Sequence, residues 1–176
     1  MILRLKRTPG IYIVGFMASG KTTLGRMLAN RIGWHFSDLD DEIESNSGQA
    51  IADIFRERGE AEFRRIEHDL MRRRIRSIEC GYPTVLALGG GAFVQPDNYA
   101  LVENNGVSLW LDCPWDSIER RVEFNAHRPL ARDPDQLQAL YHERRASYAL
   151  ADFRVDARSE NPEENLAAIL ELPVFH

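Results

Sequence analysis

The stretch from Gly15 to Gly25, with the sequence GFMASGKTTLG, is the feature that most restricts how this chain can fold. It contains the pattern G-x-x-x-x-G-K-[ST], whose glycines let the backbone curl until several N–H groups point at one anion. The pattern needs a buried strand before it and a helix after it, because the helix N-terminus adds its positive dipole to the anion site. Both are indicated: the apolar run IYIVG precedes the loop, and apolar residues follow at helical spacing, at Leu24, Met27, Leu28 and Ile32. The sequence therefore predicts a strand, a phosphate-binding loop and a helix in succession.

Strand-like and helical segments alternate along the rest of the chain, which favours an α/β domain with a parallel sheet covered on both faces. Strands are predicted at Ile11–Gly15, Trp34–Asp38, Pro83–Leu88, Gly106–Asp112 and Asp152–Ala157. A helix is predicted from Lys21 to a C-cap at Gly33, and helical patterns between Asp40 and Glu79 are interrupted near Asn46–Gly48 and at Gly59. Further helices are predicted at Pro96–Glu103, Trp115–Phe124, Pro134–Leu150 and Pro162–Leu170. The length of 176 residues fits one domain, residues 1–176.

Composition and charge exclude several classes of protein. With 44% hydrophobic and 28% charged residues, the chain is typical of a soluble globular domain. The net charge of −5 gives no reason to expect a nucleic-acid partner, and no apolar run approaches the length of a membrane span. Cys80 and Cys113 have no paired or metal-type spacing, so we expect a reduced, cytoplasmic setting. No exposed apolar stripe stands out, and we expect a monomer.

Residues in and after the loop suggest phosphoryl transfer. Lys21 would neutralise the β- and γ-phosphates of a nucleotide, and the Thr22 hydroxyl could ligate Mg²⁺. Asp38 and Asp40 follow the second strand two residues apart, so in an extended chain both would project to one side, at the sheet edge where α/β proteins bind ligands. One carboxylate could hold Mg²⁺ through water, while the other accepts the proton of a substrate hydroxyl or orients it. The alternative is an N-cap and the acidic first turn of the next helix, where Asp is also favoured.

Two further groups indicate a site for an acidic substrate. Arg64 and Glu67 share one face of a helix, and a guanidinium fixed by a carboxylate can offer its fork to a ligand carboxylate. Gly89, Gly90 and Gly91 follow an apolar strand, where one glycine would suffice for a bend, so the triplet favours a wall of bare backbone. The irregular segment Glu123–Gln136 is expected to be a mobile flap. Four arginines further along the helix of Arg64 are expected to form a solvated helix end, with a partner surface as the alternative: Arg72, Arg73, Arg74 and Arg76.

Taken together, these motifs resemble shikimate kinases, in the nucleoside monophosphate kinase-like branch of P-loop proteins. The resemblance runs from Ile11 to about Leu170 through GFMASGKTTLGR, FSDLDDEIE, IFRERGEAEFRRIE, LALGGGAF, RPLA and RRASYALAD. It implies a three-layer α/β/α fold with a five-stranded parallel sheet of order 2-3-1-4-5. It also implies ATP- and Mg²⁺-dependent phosphorylation of the 3-hydroxyl of shikimate, a step towards chorismate and the aromatic amino acids.

The resemblance also implies a role for each matched residue. Catalytic roles fall to Lys21, Asp40 and the lid arginine Arg128. Residues implied in ATP binding are Gly15, Ala18, Ser19, Gly20, Lys21, Thr22, Thr23, Arg121, Arg128 and Pro162. Substrate contacts are implied for Asp40, Phe55, Phe63, Arg64, Glu67, Gly89, Gly90, Gly91 and Arg144, and metal binding for Thr22 and Asp38. The domain would then hold a substrate-binding helical part at about 40–80 and a mobile lid at about 123–136.

The chain departs from the family pattern at two positions, and one assignment stays open. Ala18 stands where the family often has Gly, and Ala is acceptable there if its φ angle stays below zero. Ala131 stands where the family usually has Leu, which predicts looser packing of the lid. In RRASY, Arg144 matches the second carboxylate-binding arginine better, with Arg145 as the alternative. Rival functions are another kinase of this branch, such as a gluconate kinase, or an inactive nucleotide-binding regulator. The charged site residues expected of an enzyme are all present, which argues against the regulator.

Overall fold

Five strands form one parallel sheet of order β2-β3-β1-β4-β5. The computed structural model describes residues 10–124 and 133–176. Its strands are β1 (Gly10–Val14), β2 (His35–Asp38), β3 (Thr84–Ala87), β4 (Val107–Asp112) and β5 (Phe153–Asp156). Its helices are α1 (Lys21–Ile32), α2 (Leu39–Ser47), α3 (Ile51–Glu79), α4 (Pro96–Glu103), α5 (Trp115–Phe124), α6 (Pro134–Tyr148) and α7 (Pro162–Leu170). A short 3₁₀ helix at Pro173–Phe175 was not predicted.

The three central strands are buried along their whole length, whereas the edge strands β2 and β5 are only partly buried. Helices on both faces exclude water from β1, β3 and β4, which explains why their sequences are continuous apolar runs rather than alternating ones. The predicted sheet order and parallel pairing are therefore confirmed. The register sets Val14, Asp38, Ala87 and Asp112 near one edge, and the site lies at this carboxyl end of the strands.

The predicted interruption at Gly59 is present as a kink between two helical parts of α3. The φ of 81° and ψ of 171° at Gly59 interrupt the helical backbone, a conformation for which glycine is well suited. The rings of Phe55 and Phe63 pack across the kink with centroids 4.4 Å apart. The predicted break near Asn46–Gly48 is also present, because α2 ends at Ser47 with Gly48 in the left-handed conformation.

The arginines near the end of α3 are not all solvated, and the expectation was wrong for Arg74. Its guanidinium pairs with Glu42 of α2, with Nε and Nη2 at 2.9 and 2.7 Å from Oε1. Ser37, in β2, donates its hydroxyl to the same carboxylate oxygen. The pairing requires α2 to pack beside α3, which the sequence pattern did not reveal. Three exposed arginines agree with the expectation, Arg72, Arg73 and Arg76.

The predicted lid, about 123–136, is described only at its ends. Helix α5 extends to Phe124, and α6 begins at Pro134 behind the N-cap Asp133, which accepts from the backbone N–H groups of Asp135 and Gln136. Arg128 and Ala131 lie outside the described residues. Across the described ranges, no helix is long and apolar enough to cross a membrane.

Candidate active site

The phosphate-binding loop joins the buried strand β1 to α1, as predicted. Gly15 has a φ of 147°, and a Cβ there would lie 2.8 Å from the carbonyl oxygen of Leu111. Gly20 forms the N-cap of α1 with a φ of 93°. Lys21 donates from Nζ to the carbonyl oxygen of Phe16 at 2.7 Å. Two glycines of the motif therefore meet a conformational demand, and the lysine side chain folds back over the loop.

Ala18 does not satisfy the condition set for it from the sequence. Its φ is +59°, which makes it the one non-glycine residue with positive φ in ranges 10–124 and 133–176. An L-residue in this conformation carries about 1–2 kcal/mol of strain because its Cβ crowds the neighbouring carbonyl. Arg121 donates from Nη1 to the Ala18 carbonyl oxygen at 3.0 Å and pairs through Nη2 with Glu160, also at 3.0 Å. A distant arginine thus holds the strained residue in place.

Asp38 acts both as a helix cap and as a partner of the loop. Its Oδ1 accepts from the backbone N–H of Asp40 at 3.0 Å, as an N-cap does, and its Oδ2 accepts from the Thr22 hydroxyl at 2.6 Å. Because α2 begins at Leu39, Asp40 belongs to its first helical turn. The extended-chain argument for the two carboxylates was therefore wrong, although both Asp38 and Asp40 line the same cavity.

A cavity of about 470 Å³ opens above the loop. Sequence reasoning identified the loop residues from Ala18 to Thr23 together with Asp38, Asp40, Gly90, Arg121 and Pro162, and it missed Met17, Leu24, Asp41, Leu88, Ser159, Glu160 and Asn165. The signal for the last three was the motif SENPEEN, in which Asn161 caps α7 and Pro162 opens it. A helix start directly after a strand of an open sheet lies at the ligand-binding edge, and the sequence contained that hint.

The triple glycine lets three charged side chains approach the backbone. A Cβ on Gly89 would lie 2.6 Å from Oδ1 of Asp40, and one on Gly91 would lie 2.5 Å from Nη2 of Arg64. A Cβ on Gly90 would lie 3.4 Å from Nη1 of Arg144. The three glycines therefore bring together one carboxylate and two guanidinium groups from α2, α3 and α6 beside the loop.

Arg64 is held by a buried carboxylate, as its helical spacing predicted. Its Nη1 donates to Oε2 of Glu67 at 2.8 Å, and its guanidinium lies 5.1 Å from the centroid of the Phe63 ring. Glu67 is only 1% exposed, and burial raises the pKa of its carboxyl above the ordinary value while the charge of Arg64 opposes the rise. The pair leaves the other end of the guanidinium facing Gly91.

Arg144 and Arg145 point to different places. Arg145 pairs with Asp112 at the end of β4, with Nη2 at 3.0 Å from Oδ2, and its guanidinium lies 5.0 Å from the Trp110 ring. Arg144 lies instead beside Gly90 and 5.9 Å from the Phe16 ring. Of the two, Arg144 is the one at the glycine wall.

Residues 17–172 match the family model described as Shikimate kinase. The chain belongs to the shikimate kinase family. A curated shikimate kinase from Persephonella marina is 37% identical over 161 residues, which is 91% of this chain and 96% of the relative. The solved structure of an Acinetobacter baumannii shikimate kinase in complex with shikimate is similar at a TM-score of 0.85 and 32% identity, over 94% of this chain and 93% of that one. A shikimate kinase from Aquifex aeolicus is similar at a TM-score of 0.78 and 30% identity, over 92% and 93% of the two chains.

Proposed function

We propose that this protein transfers the γ-phosphoryl group of ATP to the 3-hydroxyl of shikimate. The observation that carries the proposal is the meeting of Asp40, Arg64 and Arg144 at the triple glycine, next to a phosphate-binding loop. A carboxylate beside the donor site suits a hydroxyl acceptor, and two guanidinium groups suit an acceptor that is also an acid. Shikimate has both groups, and membership of the shikimate kinase family supports this choice.

The donor half consists of the loop and the start of α1, with ATP phosphates bound by Lys21 and backbone N–H groups. Within the described residues, the Ser19 hydroxyl is 2% exposed and has no hydrogen-bond partner, which suits a loop that receives a ligand with many acceptor oxygens. Further contacts in this half are assigned to Gly15, Ala18, Gly20, Thr23, Arg121 and Pro162. Among these, Arg121 and Pro162 would flank the adenine, and both line the cavity.

Mg²⁺ would be held on the side of the loop formed by Thr22 and Asp38. Their oxygens lie 2.6 Å apart in the cavity wall, and hydroxyl and carboxylate oxygens are the ligands that this hard cation prefers. The ion would neutralise charge on the phosphate oxygens. The protein must keep both oxygens at the loop. The N-cap bond of Asp38 contributes to this, because it fixes the Asp38 side chain to the start of α2.

In the acceptor half, Asp40 would orient the 3-hydroxyl of shikimate and accept its proton, because it lies at the junction of the cavity and the glycine wall. Arg64 and Arg144 would bind the carboxylate, with Glu67 holding Arg64 in place. Gly89, Gly90 and Gly91 would let the substrate lie against backbone, and the packed rings of Phe55 and Phe63 would form its apolar boundary. Arg128 would close over the phosphates with the lid at about 123–136, which would exclude water.

The function is tested by ADP release with a panel of acceptors: shikimate, quinate, gluconate and nucleoside monophosphates. We expect rapid release with shikimate and little with the others. Release that does not depend on shikimate would refute the proposal, and preference for gluconate would favour the rival kinase.

We propose that the protein is cytoplasmic and that it is a monomer. Cys80 and Cys113 are both free thiols, as expected in a reducing compartment. Among the described residues, the exposed large hydrophobic side chains are Tyr82 and Leu150, too few for an extended apolar interface. Size-exclusion chromatography with light scattering would check the monomer.

A further inference from the structure

Tyr148, the last residue of α6, links two parts of the proposed acceptor site. The side chain is 1% exposed, and its hydroxyl donates to the carbonyl oxygen of Gly90 at 2.5 Å. The guanidinium of Arg144, one helical turn earlier, interacts electrostatically with the same hydroxyl. Burial raises the pKa of Tyr148 to about 12, so the hydroxyl keeps its proton and remains a donor to Gly90 at working pH.

The bond to Gly90 also fixes the direction of the next N–H group. The carbonyl of Gly90 and the N–H of Gly91 belong to one planar trans peptide, in which they point in opposite directions. Glycines have broad rotational freedom, so this peptide plane would turn easily if nothing held it. A hydroxyl on the carbonyl side therefore sets where the N–H points.

The interaction with the Tyr148 hydroxyl restrains Arg144, whose long side chain can adopt several rotamers. A long guanidinium side chain loses about 2 kcal/mol of rotamer entropy when a ligand fixes it, and a restraint present before binding reduces that loss. Phe16 lies under Arg144 but offers a broad face rather than a directed bond. The hydroxyl of Tyr148 is thus the group that gives Arg144 a direction beside Gly90.

We propose that Tyr148 is a positioning residue that holds Arg144 and the Gly90–Gly91 peptide in one fixed relation before the acid binds. The substrate carboxylate then meets an arginine already set against the glycine wall. This role rests on the proposed function, since it takes Arg144 as a ligand of the shikimate carboxylate. It assigns to Tyr148 no contact with the substrate.

Tyr141 provides a matched control on the same helix. It is 6% exposed, its hydroxyl donates to the carbonyl oxygen of Cys113 at 2.9 Å, and it accepts from Arg145 at 2.9 Å. Each tyrosine hydroxyl therefore bonds to a backbone carbonyl and interacts with an arginine four residues away on α6. The difference is that the Tyr141 hydroxyl contacts Cys113 and Arg145 rather than Gly90 and Arg144, so Tyr141→Phe removes equivalent contacts outside the proposed acceptor site.

The test compares Tyr148→Phe with Tyr141→Phe by steady-state kinetics and thermal unfolding. We expect Tyr148→Phe to raise KM for shikimate about 5–10-fold, as loss of one ordinary hydrogen bond would, and to change KM for ATP less than about twofold. Tyr141→Phe should leave both KM values within about twofold of the wild type. It should lower Tm by about as much as Tyr148→Phe does. The phenylalanine ring can keep the packing of Tyr148 on Trp110, whose ring centroid lies 6.2 Å away.

A double variant tests whether Tyr148 acts through Arg144. If it does, adding Tyr148→Phe to Arg144→Ala should raise KM for shikimate by a smaller factor than Tyr148→Phe does in the wild type, because only the Gly90–Gly91 peptide is then left for Tyr148 to hold. Unchanged KM for shikimate in Tyr148→Phe, equal rises for both substrates, or an equal effect of Tyr141→Phe would each overturn the role. A wild type without shikimate-dependent turnover would instead overturn the proposed function, and this role with it.

Discussion

A single methyl group added at Gly91 should weaken the binding of shikimate with little effect on the stability of the fold. A Cβ there would lie 2.5 Å from Nη2 and 3.0 Å from Nη1 of Arg64. To reach an ordinary contact of 3.4 Å, the guanidinium must retreat by about 0.9 Å. The obstructing atoms are the far end of a flexible side chain, and Arg64 can move them by changing rotamer. We therefore expect Gly91→Ala to fold, with a loss of less than about 1 kcal/mol in the free energy of unfolding.

The kinetic effect should be much larger than the effect on stability. The displaced Arg64 can no longer keep both its bond to Glu67 and its fork at the glycine wall, so one charge-assisted hydrogen bond to the acid is lost. Such a bond contributes about 1.5–3 kcal/mol, which corresponds to a rise of about 10–100-fold in KM for shikimate. KM for ATP should stay within about twofold, because Arg64 does not line the cavity above the loop. A coupled ADP-release assay with each substrate varied in turn measures both values.

Gly89→Ala is the comparison that makes this reasoning refutable. Its Cβ would lie 2.6 Å from Oδ1 of Asp40, so the same methyl group displaces the proposed proton acceptor instead of the carboxylate ligand. We expect Gly89→Ala to lower kcat about 100-fold with a smaller change in KM for shikimate, since misplacement by about 1 Å has effects of that size. Identical kinetic changes in the two variants, or a wild-type KM in Gly91→Ala, would show that the glycines do not serve separate side chains.

Three further predictions test single side chains. Asp40→Asn should lower kcat by about 10²–10⁴-fold and leave the Kd for ATP, measured by calorimetry, unchanged; wild-type kcat would contradict its role as proton acceptor. Arg144→Ala should raise KM for shikimate far more than Arg145→Ala, which should mainly lower Tm because Asp112 loses a partner, and the reverse order would exchange their assignments. The raised pKa of Glu67 adds stability that is present below its unfolded pKa and is lost as pH rises through its folded pKa, so urea unfolding should show wild type losing stability relative to Glu67→Gln as pH rises above the ordinary carboxyl pKa of about 4. A constant difference above that pH would mean that burial does not shift this carboxyl.

Local signals in the sequence were enough to predict most strand and helix limits, whereas the sheet order was implied by the family resemblance. Pro96, Pro134 and Pro162 each begin a helix where they were expected to, because proline at a first helical position removes an N–H that would otherwise lack a partner. Gly33 and Gly48 end α1 and α2 in the left-handed conformation that glycine adopts readily. Such signals act within one or two turns of the chain, so one sequence suffices to identify them.

Contacts between distant elements were the part that the sequence could not provide. Arg74 looked like its solvated neighbours until the packing of α2 on α3 put Glu42 within 2.7 Å of it. Ser159 and Glu160 lie in the cavity wall only because the segment after β5 passes the phosphate loop. These are consequences of how elements are arranged in space, and residue type alone does not determine them.

At Ala18, a strained local backbone conformation depends on a contact from a distant part of the chain. Alanine disfavours a φ of +59°, and such strain persists only where the surrounding structure fixes the backbone. Here Arg121, 103 residues further along the chain, donates to the Ala18 carbonyl oxygen, and Glu160 holds Arg121 in turn. The arginine proposed to flank the adenine therefore also maintains the backbone that would bind the phosphates. A substitution at Arg121 should consequently weaken the binding of both the adenine and the phosphates of ATP. The loop motif alone would attribute phosphate binding only to the residues between Gly15 and Thr23.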